Sequence, residues 1–159
     1  MDKALPKRKR LPHHHGIDRL NNPIIHFLTV CTKNRQPVLA TDSMHQLLRA
    51  AWTAADSFVV GRYVIMPDHL HLFCSPIETK PTYLEAWVRY WKSLVTQKHS
   101  TGVAGKLWQR DFWDTQMRHS EHYATQWEYM RSNPVDKKLV ENPDDWPFQG
   151  EMSPCGWDN

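Results

Sequence analysis

The stretch YVIMPDHLHLF, Tyr63 to Phe73, decides the fold, because a proline and an aspartate divide one apolar run into two. From Phe58 to Met66 the chain is rich in β-branched and aromatic residues and predicts a strand; His69 to Ser75 predicts another. Pro67-Asp68 supplies the turn or bulge between them, giving a hairpin-like pair. Side chains alternate along a strand, so His69 and His71 share one face while Leu70, Leu72 and Cys74 take the other. Two imidazoles on one face can hold one metal ion. The same parity removes Cys74 from the ligand set and argues against a Cys/His structural zinc site. An H-x-H pair alone is a weak signal in a chain with ten histidines, and two strand histidines with no ligand read as well. A metal site needs at least one further oxygen or nitrogen donor from elsewhere, with open positions for substrate.

Working outward, Ile24 to Thr32 predicts the first strand and KNRQPVL turns the chain. From Asp42 to about Ala55, Met44, Leu47, Leu48, Ala51 and Trp52 recur at helical spacing, with Thr41 or Asp42 as N-cap. Pro81 to about His99 predicts a longer helix, with Leu84, Trp87, Val88, Trp91, Leu94 and Val95 on one side and a basic polar face. LWQRDFW and Asp114 to Arg118 are short extended segments; Ser120 then caps a third helix that must end near Asn133-Pro134. The order β-α-β-β-α-β-α predicts an α+β domain, a ferredoxin-like split βαβ antiparallel sheet with helices on one face. Residues 1–22 form a basic arm, 23–149 the domain and 150–159 a tail.

The 159 residues, 40% of them hydrophobic, suffice for one globular domain. No apolar run reaches a membrane span or a secretory signal, and three scattered cysteines make no disulfide framework, so the sequence predicts a soluble cytoplasmic protein. Net charge is only +3, but residues 1 to 20 carry six Lys/Arg against two Asp, whereas 139 to 159 carry none. The run Lys7, Arg8, Lys9, Arg10 suits phosphate neutralisation and equally a solubilising tail.

The third helix supplies the missing donors. At about 100° per residue, Tyr123, Trp127 and Met130 form one apolar stripe, while His122, Gln126, Tyr129 and Asn133 fall on an adjacent polar one. Tyr123 therefore reads as a packing residue and Tyr129 as the phenol free to react, one turn before an amide. Facing a strand with two imidazoles, this helix would join a nucleophile to a two-His, one-amide metal site.

With these residues in place, the chain resembles the REP-associated tyrosine transposases, a branch of the single-tyrosine HUH transposases. The resemblance is carried by FLTVCTKNRQPVL, YVIMPDHLHLF, WKSLVT, LWQRDFWD, EYMRSNPV and LVENPDDWPF, and spans roughly residues 10 to 149. It implies that His69 and His71 are the HUH histidines, Tyr129 the nucleophile and Asn133 the third ligand of a Mg²⁺ or Mn²⁺ ion. The implied chemistry is cleavage and rejoining of single-stranded DNA beside palindromic hairpins through a 5′-phosphotyrosine link. The chain fittingly has no Walker-type glycine loop. DNA contacts are expected from Lys7, Arg8, Lys9, Arg10, Lys92, Lys98, Arg110 and Arg118, with Trp108 or Trp113 stacking bases. His122 and Gln126 are candidate helpers of Tyr129. The resemblance leaves His13, His14 and His15 without a role, and monomer and homodimer both stay open. The competing readings are a hairpin-binding regulator that keeps the fold without the chemistry, an RNA-binding ferredoxin-like module and a structural zinc protein. An intact His69, His71, Tyr129 and Asn133 set argues against the first, and the lack of an RNP-like aromatic motif against the second.

Overall fold

The computed structural model describes residues 24–99 and 106–155. Strands β1 (Ile25–Cys31), β2 (Phe58–Ile65), β3 (His69–Pro76), β4 (Trp113–Met117) and β5 (Gln149–Glu151) form one sheet in the order β4-β1-β3-β2-β5. Each pairing is antiparallel, and the first four strands have the split βαβ order expected from the sequence. Helices α1 (Asp42–Ala54), α2 (Leu84–Lys98) and α3 (Ser120–Asp136) complete the layers. Among the described residues no helix is long and apolar enough to cross a membrane.

The two central strands, β1 and β3, are buried on both faces, which a single helical layer cannot achieve. Leu28, Val30, Leu70 and Leu72 pack with Met44, Leu48 and Trp52 of α1 and Trp87, Trp91 and Val95 of α2. Ile25, Phe27, Val64, Phe73 and Met117 pack with Tyr123 and Met130 of α3 and with Trp146. The one-sided helix layer expected from the sequence therefore holds for α1 and α2 only. Helix α3 lies on the opposite face, where it covers Phe73, whose ring centre is 4.2 Å from that of Tyr123 at a tilt of 31°.

Thr41 caps α1 by accepting from the Met44 amide at 3.1 Å. At α3 the cap is His119, one residue before the expected Ser120: its Nδ1 accepts from the His122 amide at 3.1 Å. Pro134 does not end α3, which runs to Asp136. Proline at this point forfeits one amide, whereas Lys137 still donates to the Asn133 carbonyl at 3.0 Å and Leu139 to that of Pro134 at 2.9 Å. The LWQRDFW segment forms no strand before Trp113; Trp108 contributes only an isolated bridge to Thr32.

Strand β5 has no counterpart in the sequence reading and extends the sheet past Gln149 into the stretch drawn as tail. It pairs with β2 beyond a bulge between Val60 and Tyr63, which brings Gly61 and Arg62 opposite the single residue Phe73. A Cβ on Gly61 would lie 2.7 Å from that of Cys155, so only glycine lets the C-terminal stretch pack there. Arg62 pairs with Glu151 at 3.2 Å and lies 4.6 Å from the ring centre of Trp127 on α3.

Candidate active site

Strand β3 presents His69 and His71 to the α3 face, as its alternation requires, with ring centres 4.8 Å apart. The Tyr129 ring from α3 lies 5.6 Å from that of His71, edge toward face at 66°. His71 is 2% exposed and Tyr129 52%, so an imidazole at the wall of the site meets a phenol open to a large substrate. Asn133 follows Tyr129 by one helical turn and is buried.

Neighbouring side chains set the orientation of both imidazoles. His69 Nδ1 lies 2.7 Å from the Asp68 carboxylate, which only accepts, so Nδ1 carries the proton and Nε2 keeps its lone pair. The other Asp68 oxygen accepts from Arg35 Nε at 2.9 Å, and Arg35 Nη1 donates to Cys31 Sγ at 2.9 Å. His71 Nδ1 pairs with Thr29 Oγ1 at 2.9 Å, its register partner on β1, and its ring stacks on Phe27 at 5.3 Å.

Burial pushes His71, reinforced by the charges of His69 and Arg35, down to about 3. Burial also pushes His69 below its ordinary value, against the pull of Asp68 and with help from Arg35 and Lys137. Both rings are thus neutral at neutral pH, the form that binds a metal ion.

Two buried polar atoms at this place have no hydrogen-bond partner: His71 Nε2 and Asn133 Oδ1. An orphaned buried acceptor costs about 1–3 kcal/mol, which a ligand accepting both lone pairs removes. One imidazole nitrogen from each of His69 and His71 plus one amide oxygen suits a hard or borderline divalent cation with open positions. Among the described residues no group of three or more His, Cys, Asp or Glu forms a metal cluster, so the amide oxygen is the donor that distinguishes this set.

The other residues singled out from the sequence scatter. His122 and Gln126 are half-buried on α3. Lys98, Arg110 and Arg118 are exposed. Lys92 is half-buried, donates to the Gln109 carbonyl at 2.7 Å, and is pushed by burial down to about 8. With Arg89, Lys106 and Arg110 it lines a groove of about 880 Å³ on the α2 side. Trp108 is a core residue, 5.5 Å from Trp91, and cannot stack on a base. Trp113 is half-buried and in register with Thr29, which itself pairs with His71, so all three share the α3 face. Lys7, Arg8, Lys9, Arg10 and His13 to His15 lie outside the described residues.

Sequence reasoning passed over Arg35, Asp68, Thr29 and Lys137. Asp68 stood next to His69 in the opening motif, and Lys137 continues the Tyr129, Asn133 spacing by four residues. Arg35 and Thr29 reach the site only through sheet register.

The model of the IS200-like transposases matches residues 20–130, a span that includes His69, His71 and Tyr129. The chain belongs to the IS200-like transposase family. This transposase is 29% identical over 125 residues to the REP-associated tyrosine transposase of Escherichia coli K12, covering 77% of this chain and 73% of that one. It also superposes on the solved structure of a REP-associated tyrosine transposase bound to a REP hairpin, with a TM-score of 0.73 and 26% identity. That match covers 91% of this chain and 82% of the other. The resemblance drawn from the sequence motifs is thereby borne out, and with it the α+β fold. As a transposase it belongs to a class of enzymes that cleave and transfer DNA strands.

Proposed function

We propose that this transposase cleaves and rejoins single-stranded DNA flanking palindromic hairpins, with Tyr129 as nucleophile and His69, His71 and Asn133 holding Mg²⁺ or Mn²⁺. The observation that carries the proposal is the pairing of an exposed Tyr129 with His71, whose Nε2, like Asn133 Oδ1, is buried without a partner. The hairpin substrate is supported by the similarity to a transposase bound to a REP hairpin.

The Tyr129 Oη attacks the scissile phosphorus; the Oη–P bond forms, the P–O3′ bond breaks, and the proton balance leaves a 3′-OH and a 5′-phosphotyrosine. Helix α3 holds the phenol against the histidine wall, so attack needs no large rearrangement of the protein. Asp68 and Thr29 fix the imidazoles with their lone pairs directed to the ligand. A divalent cation bound there supplies Lewis-acid polarisation of a non-bridging phosphate oxygen. Rejoining reverses these steps, with the 3′-OH of a strand displacing Tyr129. His122 and Gln126, on the Tyr129 side of α3, are proposed helpers in handling its proton, which the phenol must lose during attack.

Binding is proposed to use the arm residues Lys7, Arg8, Lys9 and Arg10 together with Lys98, Arg110 and Arg118. With DNA as the proposed substrate, we propose that the protein works in the cytoplasm, beside the nucleoid. The test is incubation with Mn²⁺ and a hairpin oligonucleotide carrying single-stranded flanks. A covalent protein–DNA adduct is expected, absent for Tyr129→Phe. An adduct that survives that substitution removes Tyr129 as nucleophile.

A further inference from the structure

The three proposed ligands His69, His71 and Asn133 are all neutral, so the charge around them decides what they attract. The Asp68 carboxylate beside them is committed to His69 and Arg35. Among the described residues, Arg35 and Lys137 are cations on elements that bear or adjoin the pair. Arg35 is anchored by its Nε and Nη1, while its side chain is 44% exposed. Its backbone, with that of Asn34, stands in the left-handed region at φ 54° and 56°, a conformation that costs free energy for a residue with a Cβ. The turn accepts that cost where the guanidinium bridges Asp68 and Cys31. Lys137 sits at the C-cap of α3, with its amide bonded to the Asn133 carbonyl at 3.0 Å. Tyr129, Asn133 and Lys137 thus occupy successive turns of one helical side. Arg35 reaches His69 through the Asp68 carboxylate they share, 2.9 Å from the guanidinium and 2.7 Å from the imidazole.

We infer that Arg35 and Lys137 flank the histidine pair as the phosphate-binding cations of the cleaved strand, one from the turn after β1 and one from the end of α3. They contact the single-stranded flank and not the hairpin stem. This rests on the strand-cleavage reading above. Lys137, which bonds to neither histidine, acts as a uniform binding group for substrate and transition state alike, so its loss raises KM more than it lowers kcat. Arg35 also holds Asp68 beside His69.

The experiment uses full-length protein with Mn²⁺ and two labelled oligonucleotides, a hairpin with single-stranded flanks and the same hairpin without them. Binding is measured on a Tyr129→Phe background as a function of KCl. For Lys137→Gln the slope of log Kd against log[KCl] is expected to fall by about 0.7 on the flanked oligonucleotide, the loss of one single-strand phosphate contact. On the bare hairpin it stays unchanged, and Lys137→Arg restores it. Arg35→Gln is expected to do the same, with its thermal midpoint recorded because the turn depends on its guanidinium; Lys137→Gln carries the test if that variant unfolds. An unchanged slope on the flanked oligonucleotide, or an equal loss on both, overturns the inference while adduct formation by the Tyr129 protein leaves the cleavage reading standing. Failure of the Tyr129 protein to form any adduct overturns both.

Discussion

Strand β3 shows the molecule's two faces side by side. Leu70, Leu72 and Cys74 point to α1 and α2, His69, His71 and Phe73 to α3, and none of the six is more than 6% exposed. Burial is equal, yet its consequences are opposite. Toward α1 and α2 the interior is apolar and its tryptophans interlock, with Trp91 6.0 Å from Trp52 and 5.5 Å from Trp108. Toward α3 the same depth contains imidazoles and an amide with unsatisfied acceptors. Both faces hold buried polar atoms without partners, indole N–H donors of Trp52, Trp91 and Trp108 on the first and acceptors on the second, so only the second keeps lone pairs that can hold a cation.

Four tests probe that contrast. The largest effect is expected on the apolar face: Leu72→Ala should cost about 2–5 kcal/mol in denaturant unfolding, the transfer and cavity cost of a fully buried leucine. His71→Leu, at the same depth, should leave metal-free stability unchanged or raise it, because it removes an orphaned acceptor. If the two cost the same, the faces do not differ as described. Next, Asp68→Ala should weaken Mn²⁺ binding by about 10–100-fold in calorimetry, because His69 loses the partner that fixes its tautomer.

The third test is pH. The unfolded chain takes a proton on His71 near 6.5, whereas the folded chain refuses it until about 3, so metal-free stability falls as pH drops through that window. At pH 5 the loss relative to neutral pH should be about 2 kcal/mol, and absent from His71→Leu. A pH profile identical in both proteins would sink the assignment. Smallest of all is Glu151→Gln, which breaks a half-exposed ion pair to Arg62 and should cost less than about 1 kcal/mol.

How far the sequence told this story depends on distance along the chain. Strand parity placed His69 and His71 together, and helical periodicity separated Tyr123 from Tyr129, because both rules act within a few residues. What local pattern could not supply was which side of the sheet α3 would cover. Alternation in β1 and β3 is masked when both faces are buried, since Phe27 and Leu28 are equally apolar. Pro134 misled as a helix stop because its cost is small in a last turn. Trp108 and Trp113 look alike in LWQRDFW, and only register sends one into the core and leaves the other on the histidine face. The Arg35–Asp68 pair spans 33 positions and has no local signature.

The sheet ends in stubs. Edge strand β5 is only three residues long, and the other edge, β4, carries Asp114, Thr115 and Gln116 in its five. Neither offers a long apolar row of free amides and carbonyls, so the sheet is a poor template for strand-to-strand aggregation. An assembly of two copies, if one forms, has more to gain from a helical surface than from extending the sheet.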